Sequence, residues 1–512
     1  MRLNRSKNAM RNVGFGIANK IINIVFPFAI RTVFIHTLGT EYLGLNSLFS
    51  SILTVLNLTE LGFSSAIVFC MYKPIAEDDE GTIDALLLLY KKIYRIVGFI
   101  ILIVGLLLMP FLPFLIKGDY PGEINIRIVY IVFLINTVLS YFLFAYLGAL
   151  ISAFQREDIL SRVNIFIRLV MYISQIIILL TIKNYYFYIL VLPIFTIINN
   201  IRTALIAKKV FPQYHPAGVI SQEIKDEIKI KVKGLMIEKI SIVTRNAFDS
   251  IFISMFLGLT ATAIYNNYYY VMNAVILITN VFCASTVAGA GNSVVLDSAE
   301  KNYSDMIRLN FIYMWLCGWL TICLLCLYQP FMFIWVGTKL MYPFECVILI
   351  CIYFYILKMS DIRYIYELAK GLWWECRYRA ISEAATNLVL NYFLGKIFGI
   401  YGIMIATIIS IFFINFLYGT TIIFKCYFKK ESIRGYFLNH LVNAVITVAV
   451  GCMTYFVCSV MPSGVAGFFI RVTICLVLPN ILFWLCYHRT DRFKEAVPWL
   501  LGKIGRGIQL TH

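Results

Sequence analysis

The sequence predicts an all-α polytopic membrane protein of about fourteen transmembrane helices, arranged as two six-helix lobes related as repeats plus two C-terminal helices. Three observations carry this prediction. Of 512 residues, 61% are hydrophobic and only 14% charged, with a mean hydropathy of +0.82; a soluble chain carries about a quarter charged residues. Apolar runs of spanning length recur along the whole chain, and about 20 such residues cross a hydrocarbon core of about 30 Å. Finally, the 44 Lys and Arg residues, against 27 Asp and Glu, gather at Arg2, Arg5, Lys7 and Arg11 and around Arg156, Lys208, Lys370, Lys429 and Arg492. The alternate connections are poor in them. This positive-inside asymmetry fixes orientation, and it accounts for a net charge of +17 without a nucleic-acid partner.

The first six helices fall near 12–36, 43–71, 84–115, 125–153, 159–182 and 185–208, forming an N-terminal lobe over 1–208. The first run is of spanning length and contains charges, which argues against a cleavable leader. The polar connection 209–234 ends in "SQEIKDEIKIKVKG", an amphipathic pattern suited to the cytoplasmic membrane interface, and is read as the linker between lobes. A C-terminal lobe over 235–430 holds helices near 235–257, 263–289, 306–328, 344–368, 379–397 and 400–424. Two extra helices near 437–460 and 464–487 and a basic tail complete 431–512. An even number of spans puts both termini on one side, and the basic ends make that side cytoplasmic. Turns such as "TLGTEY", "KNYY", "LGLTAT" and "MPSG" leave no room for an external catalytic domain.

An internal repeat supports the division into lobes. "RTVFIHTLG" (31–39) matches "DSIFISMFLG" (249–258) with one extra residue in the second copy. Arg31 aligns with Asp249, and Gly39 with Gly258, each just ahead of the turn after the first helix of its lobe. Parallel repeats of this kind are a recurrent transporter architecture.

Polar residues recur at helical spacing inside the apolar runs. On the first helix Gly16, Lys20, Asn23, Pro27 and Arg31 share one face. The second carries Asn46, Ser50, Thr54, Asn57, Glu60 and Ser64. Arg168 and Gln175 mark the fifth, and Glu238, Ser241, Arg245 and Asp249 line the seventh. Asn266, Asn273 and Asn280 recur on the eighth, and Glu383, Asn387 and Asn391 on the eleventh. Lipid does not tolerate such faces, so they look onto protein or a water-filled cavity. Two readings stand side by side. Arg245 and Asp249, at i and i+4, can neutralise each other, and buried asparagines serve as hydrogen-bond glue between helices. Asp361, Arg363 and Glu367 read as a local salt-bridge network near a helix end. Lys20 and Arg31 have no acid near them on their own helix, and a guanidinium forms paired hydrogen bonds to phosphate oxyanions.

Covalent chemistry has no motif here. The P-loop pattern is absent, and His36, His215, His440, His488 and His512 lack metal-ligand spacing. The 13 cysteines lie mostly in apolar runs, where they act as small hydrophobes. Cys323 and Cys326 share a C-x-x-C spacing, but without a second pair or a nearby His they predict neither a metal nor a redox centre.

Three segments resemble a known family. "FIHTLGTEYLGLNSLFSSILTVLNLTELGFSSAI" (34–67) is similar to the signature of bacterial polysaccharide flippases of the Wzx type, in the multidrug/oligosaccharidyl-lipid/polysaccharide exporter superfamily. "FDSIFISMFLGLTATAIYNNYYYVM" (248–272) resembles the start of that family's second half. "ISEAATNLVLNYFLGKIFGIYGIMIATIIS" (381–410) resembles its eleventh and twelfth helices. The resemblance implies a non-enzymatic flippase of the bacterial cytoplasmic membrane. It would move undecaprenyl-pyrophosphate-linked oligosaccharides by alternating access, for capsule, exopolysaccharide or teichoic-acid-like assembly, with a polysaccharide polymerase among its partners. It also implies a cationic cavity in which Arg31, Lys20 and Arg245 are candidates for holding pyrophosphate. Asn23, Asn46, Asn57, Glu60, Arg168, Asp249, Asn266, Asn273, Asn280 and Asn387 would line that cavity. No cofactor is implied. Glu60, Asp249 and Glu238 are open to two roles, proton or sodium coupling and plain charge balance. The two extra helices exceed the twelve of many members; in related lipid II flippases such a pair helps form a groove for the lipid tail.

Two other functions compete. A multidrug extruder of the same superfamily calls for an acid-dominated cavity, whereas the first-helix stripe is basic. A membrane polysaccharide polymerase calls for a large outward loop, which the short turns do not provide.

Overall fold

The structure, a computed structural model, describes residues 5–57, 62–118 and 120–509. Glu60 lies outside them, as does the Glu238 side chain. Among the described residues every regular element is a helix and no strand occurs. The packing divides the chain into two compact units, 1–266 and 267–512.

The first unit contains α1 (Arg5–Thr37), α2 (Thr40–Leu56), α3 (Phe63–Ala76), α4 (Glu80–Leu108, prolonged by a 3-10 turn over Met109–Leu115) and α5 (Ile126–Phe142). It continues with α6 (Ala145–Ala153), α7 (Glu157–Thr181), α8 (Tyr185–Val210), α9 (Gln222–Leu257) and the first turns of α10 (Leu259–Leu296). The second unit holds the rest of α10, then α11 (Ala299–Val336), α12 (Phe344–Met359), α13 (Asp361–Lys370) and α14 (Arg377–Ile409). A π-helical stretch over Ser410–Tyr418 follows, then α15 (Gly419–Cys426), α16 (Ile433–Ser459), α17 (Val465–Tyr487) and α18 (Asp491–Gln509).

Among the described residues, helix accounts for most of each of the fourteen expected segments. Among the described residues ten helices are long and apolar enough to cross a membrane, or eleven when α5 and α6, bent by 50°, count as one span. The difference from fourteen has three local causes. The second segment is divided between α2 and α3, and the tenth is broken at Ser360 between α12 and α13. The eleventh and twelfth are drawn as one helix, yet Gly399 (φ 60°, ψ −132°) reverses the chain between them. Asn387 bonds Thr407, and Asn415 bonds Glu383. Those partners are placed almost symmetrically about Gly399, as in an antiparallel hairpin. A side chain at Gly402 would sit 2.0 Å from the Leu394 carbonyl oxygen, so that turn requires glycine.

The two glycines that the repeat aligns share one backbone conformation. Gly39 (φ 98°, ψ 175°) and Gly258 (φ 92°, ψ 179°), aligned in the sequence, adopt the same conformation at the start of α2 and α10. Positive φ with extended ψ is open to glycine almost alone. The amphipathic stretch after 220 is not a separate helix: capped by Ser221, α9 runs without a break into the seventh span. It packs with the first unit, where the Lys117 amide donates to the Ser254 carbonyl at 3.0 Å. Gly44 lies so close to Leu259 that a Cβ would approach its carbonyl oxygen to 2.0 Å.

Apolar surface is turned outward as well as inward. On α4, Tyr90, Tyr94, Val97 and Ile101 are buried, while Ile96, Phe99, Ile103 and Leu107 are more than half exposed. A helix apolar on all sides belongs in hydrocarbon, and the chain is a multi-pass membrane protein.

Candidate functional site

The first unit gathers much of the polar face expected on α1. Arg168 of α7 donates to Asn23 Oδ1, and the Tyr172 hydroxyl donates to the same oxygen at 3.3 Å. Asn23 in turn donates to the Asn19 carbonyl at 2.8 Å. Phe26 stacks on Tyr172 with ring centroids 5.7 Å apart. Arg168 and Tyr172 are four residues apart, so one face of α7 presents a cation and a phenol to α1.

Two turns along α1, half-buried Arg31 lies within electrostatic reach of the Tyr188 hydroxyl, which also contacts Asn46. The Tyr185 hydroxyl donates to Asn46 Oδ1 at 3.0 Å. Phe34, Tyr42, Tyr185 and Tyr188 form an aromatic wall, with neighbouring ring centroids 4.9 to 6.4 Å apart. Arg31, Asn46 and this wall therefore form one polar-aromatic cluster. Asn57 is separate from it and accepts from Tyr141 at 3.1 Å. Lys20 is exposed.

The repeat-equivalent position carries the opposite charge. Asp249 is 2% exposed and accepts from the Tyr265 hydroxyl at 3.0 Å. Tyr265 lies seven residues after Gly258, and Asn46 seven after Gly39. Asp249 bonds the residue at that position directly, whereas Arg31 and Asn46 share Tyr188 as a common neighbour. Arg245 is buried one turn from Asp249. Asn266 donates to Ser250 Oγ at 3.1 Å and to the Thr262 carbonyl at 2.9 Å.

The remaining expected residues fall in the second unit. Asn273 and Asn280 are exposed. Asn387 is fully buried; its amide donates to Thr407 at 3.1 Å and its oxygen accepts from Asn391 at 3.2 Å. This is hydrogen-bond glue across the α14 hairpin.

The acid-base cluster near the end of the tenth segment is larger than the sequence showed. Arg363 pairs with Glu367 and reaches the Asn415 carbonyl at 3.3 Å. Arg379 binds the other Glu367 oxygen at 3.0 Å. Asn415, in the π-helical stretch, donates to Glu383 at 2.7 Å. Nearby, Lys358 binds Asp361 at 2.9 Å, and Tyr313 donates to the same carboxylate. Three cations face three carboxylates, and most of these side chains are buried. Arg379, Glu383 and Asn415 lie beyond any i, i+4 spacing from Arg363, which is why only Asp361, Arg363 and Glu367 read as a network in sequence.

The second unit also contains an apolar groove of about 1110 Å³, with residues of α11, α12, the π-helical stretch and α16 along its walls. Ile348, Ile352, Phe412, Leu441, Val448 and Tyr455 are among them, and Arg434 and Gly435 lie at the α16 N-terminal end. The sequence held one hint of it, the presence of two helices beyond twelve.

No family model matches the chain, and no curated protein matches it. Solved structures do. The lipid II flippase MurJ in an inward closed conformation aligns over 93% of this chain and 99% of its own, with a TM-score of 0.68 and 14% identity. A multidrug resistance MATE transporter of the MOP superfamily, inward-facing, aligns over 81% of this chain and 99% of its own, with a TM-score of 0.56 and 14% identity. A MATE transporter of Vibrio cholerae aligns over 84% of this chain and 99% of its own, with a TM-score of 0.54 and 13% identity. The chain carries the fold of the MOP superfamily transporters.

Proposed function

We propose that the chain is a transporter, not an enzyme, and that it flips an undecaprenyl-pyrophosphate-linked oligosaccharide across the cytoplasmic membrane by alternating access, for surface-polysaccharide assembly. The observation that carries the reading is the pair of complementary surfaces. The first unit offers Arg31 and Arg168 among amide and phenol groups, and the second offers an apolar groove of about 1110 Å³. An anionic head with attached sugars calls for the first kind of surface, because guanidinium binds phosphate through paired charge-assisted hydrogen bonds. A polyprenyl tail calls for the second. The fold comparison points the same way: the flippase match reaches more of this chain than the drug-transporter matches, by roughly the length of the α16–α17 pair.

In this reading Arg31, with Lys20 and Arg245, holds pyrophosphate, and the asparagines and tyrosines around it face sugar hydroxyls. Asp249, buried and bonded by Tyr265, is the described candidate for proton or sodium coupling. Both termini lie in the cytoplasm, and a polymerase acts downstream.

Vesicles containing the purified protein test this. The wild type is expected to move a fluorescent undecaprenyl-pyrophosphate oligosaccharide between leaflets. Arg31→Ala should slow it at least about tenfold, the equivalent of about 1.4 kcal/mol, with Arg31→Lys regaining part of the rate. Movement of a cationic drug without movement of the lipid-linked glycan would establish the multidrug alternative instead.

A further inference from the structure

Three helices of the second unit each contribute a buried cysteine to one point. Cys326 of α11, Cys458 of α16 and Cys475 of α17 are 3%, 2% and 0% exposed. Their three sulfurs lie within 4.8 Å of one another, with Cys458 Sγ and Cys475 Sγ 4.0 Å apart. The C-x-x-C spacing plays no part. The Cys323 thiol points instead toward the Cys475 carbonyl oxygen at 3.8 Å. The trio is assembled by tertiary packing across more than a hundred residues of sequence, so no local spacing reveals it.

We propose that Cys326, Cys458 and Cys475 bind one soft divalent d10 cation per chain through three thiolates, fastening the α16–α17 pair to α11. Geometry is the first argument. A thiolate–metal bond is about 2.3 Å long, and three such bonds in a trigonal plane put the sulfurs about 4.0 Å apart by simple trigonometry. That is the separation of Cys458 and Cys475, so those two need little movement to close on a metal. Ligand softness is the second argument, since thiolates select d10 ions such as zinc and its heavier congeners over hard cations.

Charge is the third. Arg471, one turn before Cys475 on α17, donates from Nε to the Cys458 carbonyl at 3.0 Å. Its two terminal nitrogens donate to the Met461 and Pro462 carbonyls at 2.7 and 3.0 Å. Among the described residues no carboxylate forms an ion pair with it, so its charge is solvated by dipoles but not neutralised. On binding, three thiols release three protons to solvent and the cation takes three thiolates. The resulting anionic complex balances against Arg471, which leaves the buried site neutral. A monovalent ion would leave it negative. Cys458 is in the last turn of α16, beside the short 460–464 connection.

The full-length protein in detergent, stripped with a chelator and titrated with cadmium, tests the proposal. Thiolate-to-cadmium charge-transfer absorption should saturate at one equivalent while the Tm rises. X-ray absorption on that wild-type complex should show three sulfur neighbours, a result that requires no variant to fold. Cys475→Ser should abolish both the saturable absorption and the Tm rise, whereas Cys323→Ser should keep both. Absorption unchanged in Cys475→Ser, two or four sulfurs around cadmium, or copper(I) bound in preference to cadmium would each overturn the assignment.

Discussion

Two regions of this molecule place arginines inside membrane helices, and they do it differently. In the second unit Arg363 and Arg379 share Glu367, are 0% and 4% exposed, and sit among carboxylates equal in number to the cations. In the first unit Arg168 is exposed and donates to an amide oxygen, and half-buried Arg31 lies beside the Tyr188 phenol. The first arrangement is closed on itself. The second pairs its cations with amide and phenol groups and leaves Arg168 exposed. An intramembrane charge is therefore not a functional marker by itself; its partners and its exposure decide.

The comparison breaks most readily at the closed cluster. Glu367→Ala leaves two buried guanidiniums without their shared carboxylate. Removing one partner of a buried pair costs about 3–5 kcal/mol, so a large fall in Tm is expected, with loss of folded protein. Thermal melts in detergent measure it; a Tm unchanged from wild type would show that the cluster is not a structural one. Arg31→Ala should leave Tm nearly unchanged while glycan flipping falls, and that contrast separates the two regions.

A smaller effect is expected where α2 meets α10. Gly44→Val drives a side chain into the Leu259 backbone, and overpacking of this kind costs about 1–3 kcal/mol. Hydrogen exchange of α2 and α9 should rise with it; unchanged exchange would mean that the two segments separate without penalty. Tyr172→Phe removes one 3.3 Å hydrogen bond to Asn23, worth about 0.5–1.5 kcal/mol at most. Its stability should barely shift, so a fall in flipping would mark the Asn23–Arg168 pair as part of the transport face. The smallest effect belongs to Asn273→Ala and Lys20→Ala. Both side chains are exposed, and stability should stay within about 0.5 kcal/mol of wild type.

How much of the site was legible follows from distance along the chain. Asn23 and Arg31 share the face of one helix, and 3.6-residue periodicity reveals that directly. Their partners Arg168, Tyr172 and Tyr188 lie more than a hundred residues away, where no period connects them. The polar row of Asn387 is legible in sequence, but its bond to Thr407 depends on the turn at Gly399. The apolar groove and the cysteine trio had no local signature, because an apolar residue in a spanning run reads the same whether it meets lipid, a groove or another thiol.

The membrane class, the all-helical architecture and the glycine turn at residue 39 were readable from the chain alone. These rest on composition, period and backbone freedom, all properties of neighbouring residues. The tertiary structure alone decided which charges close on one another, which amides are used up, where the groove lies and which three cysteines meet. Those outcomes depend on helix packing, which joins residues that local periodicity leaves unrelated.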